Sequence, residues 1–194
     1  MRYCIIIPTY QRAELLAKNW GDVACDHDVI VVCRESESYD MGLFSYTIIP
    51  DDVENGVGLP RKIGTDLAIK EGYDVIFQTD DDTRLKSPDL IHEMAKTIYT
   101  RDILLASKQP FDFGAKATIP EFIFHNNGMI GFWGFRADLV RRIGNFDPNF
   151  YISEDHEFQW RARQHNIATA SWTKFKVDHK HGQPGGLSDK HYEN

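Results

Sequence analysis

The chain has 194 residues, 42% of them hydrophobic, and a formal net charge of −7, a composition typical of one globular domain and unlike that of a disordered or fibrous protein. The longest apolar run near the start, residues 5–7, is too short for a membrane span or a signal-peptide core. The acidic balance argues against non-specific nucleic-acid binding, and Cys4, Cys25 and Cys33 lack CxxC spacing and predict a reducing, cytoplasmic setting.

Strands and helices alternate in the first half of the predicted structure. Continuous apolar runs predict strands at residues 3–7, 29–33, 45–49 and 74–79. The first helix is predicted from Gln11 to Trp20, closed by Gly21. Gly56, Gly58 and Pro60 predict a flexible turn before a second helix, from about Arg61 to Lys70 and closed by Gly72.

The second half is less regular. Ser87, Pro88 and Asp89 predict a capped helix start. Further along, the pattern predicts a strand at 103–106, no clean period over 107–135, helices near 136–143 and 154–164, and a loop-like tail from His179. Alternating elements with wholly apolar strands predict an α/β fold: a single domain with a mostly parallel central sheet and helices on both faces.

The triplet Asp80, Asp81 and Asp82 directly follows the strand at 74–79. Ligands bind at the carboxyl ends of strands in open parallel sheets, and three adjacent carboxylates repel one another unless a cation joins them. Mg²⁺ and Mn²⁺ accept such oxygen ligands together with substrate phosphates. For the triplet by itself an acidic turn is the preferred interpretation, and a metal site is favoured only if partners elsewhere in the sequence support it.

Three other groups of residues are candidates for chemistry. Asp155, in the first turn of the last helix, is either a cap stabilised by the helix dipole or a general base. Arg61 opposes the dipole at its helix start, which a bound phosphate would offset. His179 and His181 offer imidazole ligands if the triplet lies nearby. Aromatic residues could stack on a base or sugar, but core packing is favoured for at least two of Phe132, Trp133 and Phe135.

Taken together, these stretches resemble the nucleotide-sugar glycosyltransferases of GT-A fold, particularly family-two-like members. The resemblance covers roughly residues 3–165, and its specificity lies in the order of the motifs. The matching stretches are Ile5 to Arg12, Gly58 to Gly64 with Ala68 and Gly72, Val75 to Asp82, Gly134 to Arg136, Ile143 to Asp147, and Glu154-Asp155 with Arg161.

The resemblance implies a role for each site residue. Asp155, with Glu154 beside it, matches the catalytic base of inverting members. Asp80 and Asp82 match the Asp-x-Asp pair, with Asp82 favoured over Asp80 as the direct ligand of Mn²⁺ or Mg²⁺ and Asp80 nearer the ribose or the sugar. His179 or His181 would supply a late metal ligand. The residues implied to contact the nucleotide-sugar, which is expected to be a UDP-sugar, are Pro8, Thr9, Tyr10, Arg12, Arg61, Asp80 and Asp81.

The resemblance also implies an organisation and an acceptor. One GT-A domain would comprise a nucleotide-sugar-binding half, 1–106, an acceptor-side half, 107–178, and the tail 179–194. The chain looks similar to a compact bacteriophage branch that glycosylates hydroxymethylated pyrimidines in DNA, which would place it in the host cytoplasm, with no membrane segment and no obligate protein partner. The basic side chains that could meet DNA are Arg136, Arg141, Arg142, Arg161, Arg163, Lys174, Lys176 and Lys180.

Several alternatives stay open at this point. A saccharide, a lipid-linked sugar or a protein is the next acceptor to consider. A nucleotidyltransferase also places carboxylates and a divalent cation at strand ends. A third possibility is a non-catalytic module that binds sugar nucleotides.

Overall fold

A computed structural model describes residues 1–34, 42, 44–50, 56–107, 121–125 and 131–179. The first six elements are β1 (Tyr3–Pro8), α1 (Ala13–Asp26), β2 (Val29–Arg34), β3 (Ser45–Ile49), α2 (Gly58–Lys70) and β4 (Val75–Gln78). The remaining elements are β5 (Thr83–Leu85), α3 (Ile91–Arg101), β6 (Leu104–Ser107), β7 (Phe122–Phe124), β8 (Trp133–Arg136), α4 (Leu139–Ile143), α5 (Glu154–Gln164), β9 (Thr169–Trp172) and β10 (Val177–His179).

Within the described residues, the central sheet has eight strands in the order β3-β2-β1-β4-β8-β6-β9-β7. Strands β3, β2, β1 and β4 are mutually parallel, whereas β8 and β7 are antiparallel to their neighbours. The predicted α/β fold with a mostly parallel sheet is therefore confirmed. The order brings the carboxyl ends of β1 and β4 side by side, so the segments after Pro8 and Gln78 meet at one edge of the sheet.

Both faces of the sheet are covered by helices, which explains why the inner strands β1 and β2 are almost wholly apolar. Along β1, Ile5 and Ile7 pack into a cluster with α1 and α3, whereas Cys4 and Ile6 pack into a second cluster with α2, α4 and α5. Such strands have no solvent face and show no alternation of polar and apolar residues. At least two of three aromatic residues are expected in the core, and all three are buried: Phe132, Trp133 and Phe135.

Several predicted element boundaries are wrong, and each has a packing reason. Helix α1 continues through Gly21 to Asp26, because Trp20 and Val23 extend its buried face. Helix α2 begins at Gly58 and includes Pro60, since proline needs no N–H partner in a first turn. Ser87 makes no side-chain capping bond, and a single 3₁₀ turn, Pro88–Leu90, precedes α3. Arg136 ends strand β8, so the helix predicted from it is the shorter α4.

A separate two-stranded antiparallel sheet joins β5 and β10. In its register His179 lies opposite Thr83, which directly follows the Asp triplet. His179, where a loop-like tail is predicted to begin, is thus the last residue of a strand, and 180–194 lie outside the described residues. Within the described ranges, no helix is both long enough and apolar enough to cross a bilayer.

Candidate functional site

A cluster of possible metal ligands lies at the carboxyl end of β4. One ligand atom each of Asp80, Asp82 and His179 lies within 4.8 Å of the others. Nε2 of His179 is 3.1 Å from Oδ1 of Asp82 and 3.5 Å from Oδ2 of Asp80. The pairing of β10 with β5 brings the histidine here, which spacing alone did not reveal. His181 lies outside the described residues.

The donor set of this cluster suits a hard divalent cation. Two carboxylates and an imidazole are ligands that Mn²⁺ accepts, and Mg²⁺ takes the carboxylates readily. Oδ1 of Asp82 is buried, and apart from the approach of His179 Nε2 at 3.1 Å it accepts no hydrogen bond among the described residues, so a buried acceptor oxygen faces the cluster. Burial lowers the pKa of His179, but Asp82 and the charge of Asp80 outweigh burial, and the net direction is upward. The residues present therefore fit a cation.

The middle carboxylate of the triplet, Asp81, faces the loop after β1. Its Oδ2 accepts a hydrogen bond of 2.7 Å from the Thr9 hydroxyl, and its Oδ1 accepts one of 2.9 Å from Arg12. The side chain of Asn19, a residue that sequence reasoning missed, donates to the Asp81 carbonyl oxygen. Burial raises the pKa of Asp81 to about 6, against the opposing effects of Arg12 and Thr9. Asp81 thus fixes the loop after β1 to the segment after β4.

The four residues predicted to line the nucleotide pocket all lie at the end of β1. Thr9 is buried and bonded to Asp81, and Arg12 also lies 3.5 Å from Asp82. Pro8 and Tyr10 are partly exposed, and the guanidinium of Arg34 stands 5.9 Å from the centre of the Tyr10 ring. A ligand can therefore reach Pro8 and Tyr10 on this loop.

Arg61 is predicted to approach phosphates, but its guanidinium lies among protein groups and is only 4% exposed. Its Nε donates to Glu154 and its Nη2 to Asp80, each over 2.7 Å. Its Nη1 donates to the Gln78 side chain and to the Thr79 carbonyl oxygen, each over 3.2 Å. The charge of Arg61 is thus offset by two carboxylates of the protein, where the sequence suggested a phosphate.

The start of α2 is covered by the segment that leads to α5. The backbone N–H groups of Val57 and Gly58 donate to the carbonyl oxygens of Tyr151 and Phe150. A Cβ at Gly58 would overlap the carbonyl oxygen of Asp147, so the two backbones approach as closely as only glycine permits. The glycines predicted to form a flexible turn instead provide a docking surface for 147–151.

Helix α5 begins at Glu154, as predicted, and carries two adjacent carboxylates in its first turn. Ser153 precedes it in the left-handed region, with φ of 66°, a conformation uncommon for residues other than glycine. Glu154 is buried and paired with Arg61. Burial, followed by the charge of Glu154, raises the pKa of Asp155 to about 6. A carboxylate with that pKa can accept a proton near neutral pH.

Much of the predicted basic surface is paired with acidic groups. Arg161 donates to Glu157 and to the carbonyl oxygens of Ile143, Gly144 and Asn145, so it closes the end of α4. Lys180 lies outside the described residues. The ion pairs that the predicted basic residues form are Arg136–Asp138, Arg142–Asp102, Arg161–Glu157 and Lys174–Glu121.

Solved structures similar to this chain have the GT-A glycosyltransferase fold. S. aureus TarS 1–349 in complex with UDP-GlcNAc aligns with a TM-score of 0.69 at 15% identity, over 97% of this chain and 61% of that one. GalNAc-T7 with UDP, GalNAc and Mn²⁺ aligns with a TM-score of 0.69 at 12% identity, over 92% and 44%. No protein-family model and no curated protein sequence matches the chain. The chain therefore shares the fold, and it spans about half the length of these structures.

Proposed function

We propose that this protein is a metal-dependent glycosyltransferase that moves a sugar from a UDP-sugar to an acceptor hydroxyl. The observation that carries the proposal is the Asp80, Asp82 and His179 cluster at the carboxyl end of β4. The fold that carries this cluster is shared with TarS, solved in complex with UDP-GlcNAc, and with GalNAc-T7, solved with UDP, GalNAc and Mn²⁺. The proposed organisation is a nucleotide-sugar-binding half, 1–106, an acceptor-side half, 107–178, and a tail, 179–194.

The donor side is assigned to the edge of the sheet where β1 and β4 end. Asp80, Asp82 and His179 would hold Mn²⁺ or Mg²⁺, which when bound neutralises the negative charge of the leaving diphosphate. Among the described site residues, the five carboxylates of the triplet and of Glu154 and Asp155 face two guanidinium groups, Arg12 and Arg61. Both guanidinium groups are paired with these carboxylates. A diphosphate would thus depend on the cation for charge neutralisation.

The acceptor side is assigned to the start of α5. Asp155 takes the proton of the acceptor hydroxyl as the oxygen forms its bond to the anomeric carbon. The bond from that carbon to the diphosphate oxygen breaks in the same step, and the electron pair leaves with UDP. One displacement inverts the anomeric centre, and a product with the configuration of the donor would contradict this assignment.

For the acceptor we propose a hydroxymethylated pyrimidine in bacteriophage DNA, on the resemblance of the sequence alone. An enzyme that modifies a duplex base must extrude it or act in an open groove. Incubation with hydroxymethylcytosine DNA and a UDP-sugar, followed by nucleoside mass spectrometry, should reveal a glycosylated nucleoside. If the nucleosides stay unmodified and the sugar is transferred to a saccharide, lipid-linked or protein acceptor, that acceptor replaces DNA in the assignment.

The first test is a calorimetric titration of UDP in the presence of Mn²⁺ and in the presence of EDTA. Binding that requires the metal supports the donor side. Binding of GDP or CDP in place of UDP would correct the nucleotide. The absence of binding by all three would contradict the proposal. A nucleotidyltransferase would release pyrophosphate from a nucleoside triphosphate, and a binding module would bind UDP-sugar without turnover.

A further inference from the structure

We infer that Arg61 is a positioning residue that joins the donor side to the acceptor side, and that it is not a ligand of the donor phosphates. It connects Asp80 to helix α5, which carries Asp155, through Glu154. The inference rests on the proposed function, which assigns Asp80 to the metal and Asp155 to the acceptor hydroxyl.

The first argument is that the hydrogen-bonding capacity of Arg61 is nearly used up. A guanidinium has five N–H donors in a fixed plane. Four of the five are directed at protein acceptors: one at Glu154, one at Asp80, one at Gln78 and one at the Thr79 carbonyl oxygen. At 4% exposure, the side chain offers little surface to a phosphate.

The second argument is that the partners of Arg61 come from separate parts of the fold. Gln78 and Asp80 lie at the end of β4, and Glu154 lies at the start of α5, 93 positions from Arg61 in the sequence. Gln78 also donates to the hydroxyl of Thr65, one turn after Arg61 on α2. Helix α2 is therefore fastened to both β4 and α5 through polar groups that are buried or partly buried.

The third argument concerns the orientation of the Asp80 carboxylate. Arg61 binds Oδ1 of Asp80, whereas Oδ2 of Asp80 lies 3.5 Å from His179. One oxygen of Asp80 is thus fixed by the arginine while the other faces the metal cluster. Partners that orient a metal ligand in this way typically affect metal affinity by about 10- to 100-fold.

The same contact separates the roles of the two adjacent carboxylates on α5. Glu154 lies against Arg61, so its carboxylate is committed to an ion pair. Asp155 is left as the residue of the pair that can meet an acceptor, and Glu154 is an anchor of the helix.

The test compares Arg61→Lys with Lys62→Gln, which removes an exposed cation from the neighbouring position of α2. Mn²⁺ alone, and UDP in the presence of Mn²⁺, are titrated calorimetrically, and amide hydrogen exchange is measured over 150–160. Lysine lacks the planar fork of the guanidinium, so it cannot meet all four partners at once. We expect Arg61→Lys to weaken the binding of Mn²⁺ alone about tenfold or more, to weaken Mn²⁺-dependent UDP binding with it, and to accelerate exchange at the start of α5.

If Arg61→Lys does not fold, Glu154→Gln still tests the inference. This variant should fold, because its amide oxygen can still accept a hydrogen bond from Arg61. Its matched control is Glu157→Gln on the same helix, whose carboxylate pairs with Arg161. We expect amide exchange at the start of α5 to be faster in Glu154→Gln than in Glu157→Gln. The melting temperature of Glu154→Gln should equal that of the wild type.

Two results would overturn the inference. The first is a loss of Mn²⁺-dependent UDP affinity in Arg61→Lys with the affinity for Mn²⁺ alone unchanged, which would make Arg61 a phosphate ligand. The second is unchanged exchange at the start of α5 in both the Arg61 and Glu154 variants. A wild-type protein that binds no nucleotide would contradict the proposed function instead, and the exchange measurement would still test the link between α2 and α5.

Discussion

Glu154 and Asp155 are neighbours in the sequence, but their carboxylates lie in different surroundings. Oε1 of Glu154 accepts a hydrogen bond of 2.7 Å from Arg61, whereas the pKa of Asp155 is raised to about 6 by burial and by the charge of Glu154. A carboxylate with a raised pKa is a better base near neutral pH. The first turn of α5 thus combines a carboxylate held in an ion pair with one whose pKa is raised.

Asp155→Asn should abolish most of the transfer activity, because the amide keeps the shape of the side chain but cannot accept a proton. We expect turnover to fall by about 10²- to 10⁴-fold, with Mn²⁺-dependent UDP binding unchanged. Release of UDP from a UDP-sugar measures the first quantity and calorimetry the second. Glu157→Gln makes the same carboxylate-to-amide change two positions along the helix and serves as the control. Undiminished turnover in Asp155→Asn would show that another group is the base.

The pH dependence of turnover should report the ionisation of Asp155. Activity should fall as the pH drops below about 6, where this carboxylate becomes protonated. In Glu154→Gln a negative charge that raises the pKa of Asp155 is gone, whereas Arg61 and His156, which lower it, remain. The acidic limb of the profile should therefore move to lower pH in this variant. A limb that stays in place or moves to higher pH would contradict the assignment.

Asp82→Ala should remove metal-dependent nucleotide binding, because it deletes a buried oxygen that faces the proposed cation. In the wild type, Mn²⁺ at about 100 times its dissociation constant should stabilise the fold by about 2.7 kcal/mol, which thermal unfolding detects as a higher melting temperature. The variant should lose this rise and keep its melting temperature in EDTA. Asp178→Asn, on the strand of His179 but paired with the exposed Lys86, is the control. Retention of metal-dependent UDP affinity in Asp82→Ala would exclude Asp82 as a ligand.

Two helical glycines should respond to alanine in opposite directions. Gly21 lies inside α1 with nothing within 4 Å of an added Cβ, so Gly21→Ala should stabilise the protein by about 0.5–1 kcal/mol. At Gly58, a Cβ would overlap carbonyl oxygens of Asp147 and Phe150. Gly58→Ala should cost about 1–3 kcal/mol through overpacking. Urea unfolding of both variants measures the difference, and equal stabilisation of both would show that 147–151 does not pack on α2.

The elements that were predicted well are those with strong local signals. Apolar runs located the strands from β1 to β4, and the acidic first turn located the start of α5 at Glu154. The ends of helices were less well predicted, because their final turns depend on packing. Helix α1 passes through Gly21, since Val23 gains a place in the core that outweighs the low helix propensity of one glycine.

Local patterns in the amino-acid sequence were sufficient to predict the mostly parallel α/β sheet and the position of an acidic triplet at the end of β4, since both depend on a few neighbouring residues. The groups that these carboxylates contact depend on the tertiary structure. His179 reaches Asp82 through the pairing of β10 with β5, Asp81 faces Thr9 and Arg12, and Arg61 meets Glu154. These contacts join residues that are distant in the chain, and the balance of burial and charge that selects them exists only in the packed fold.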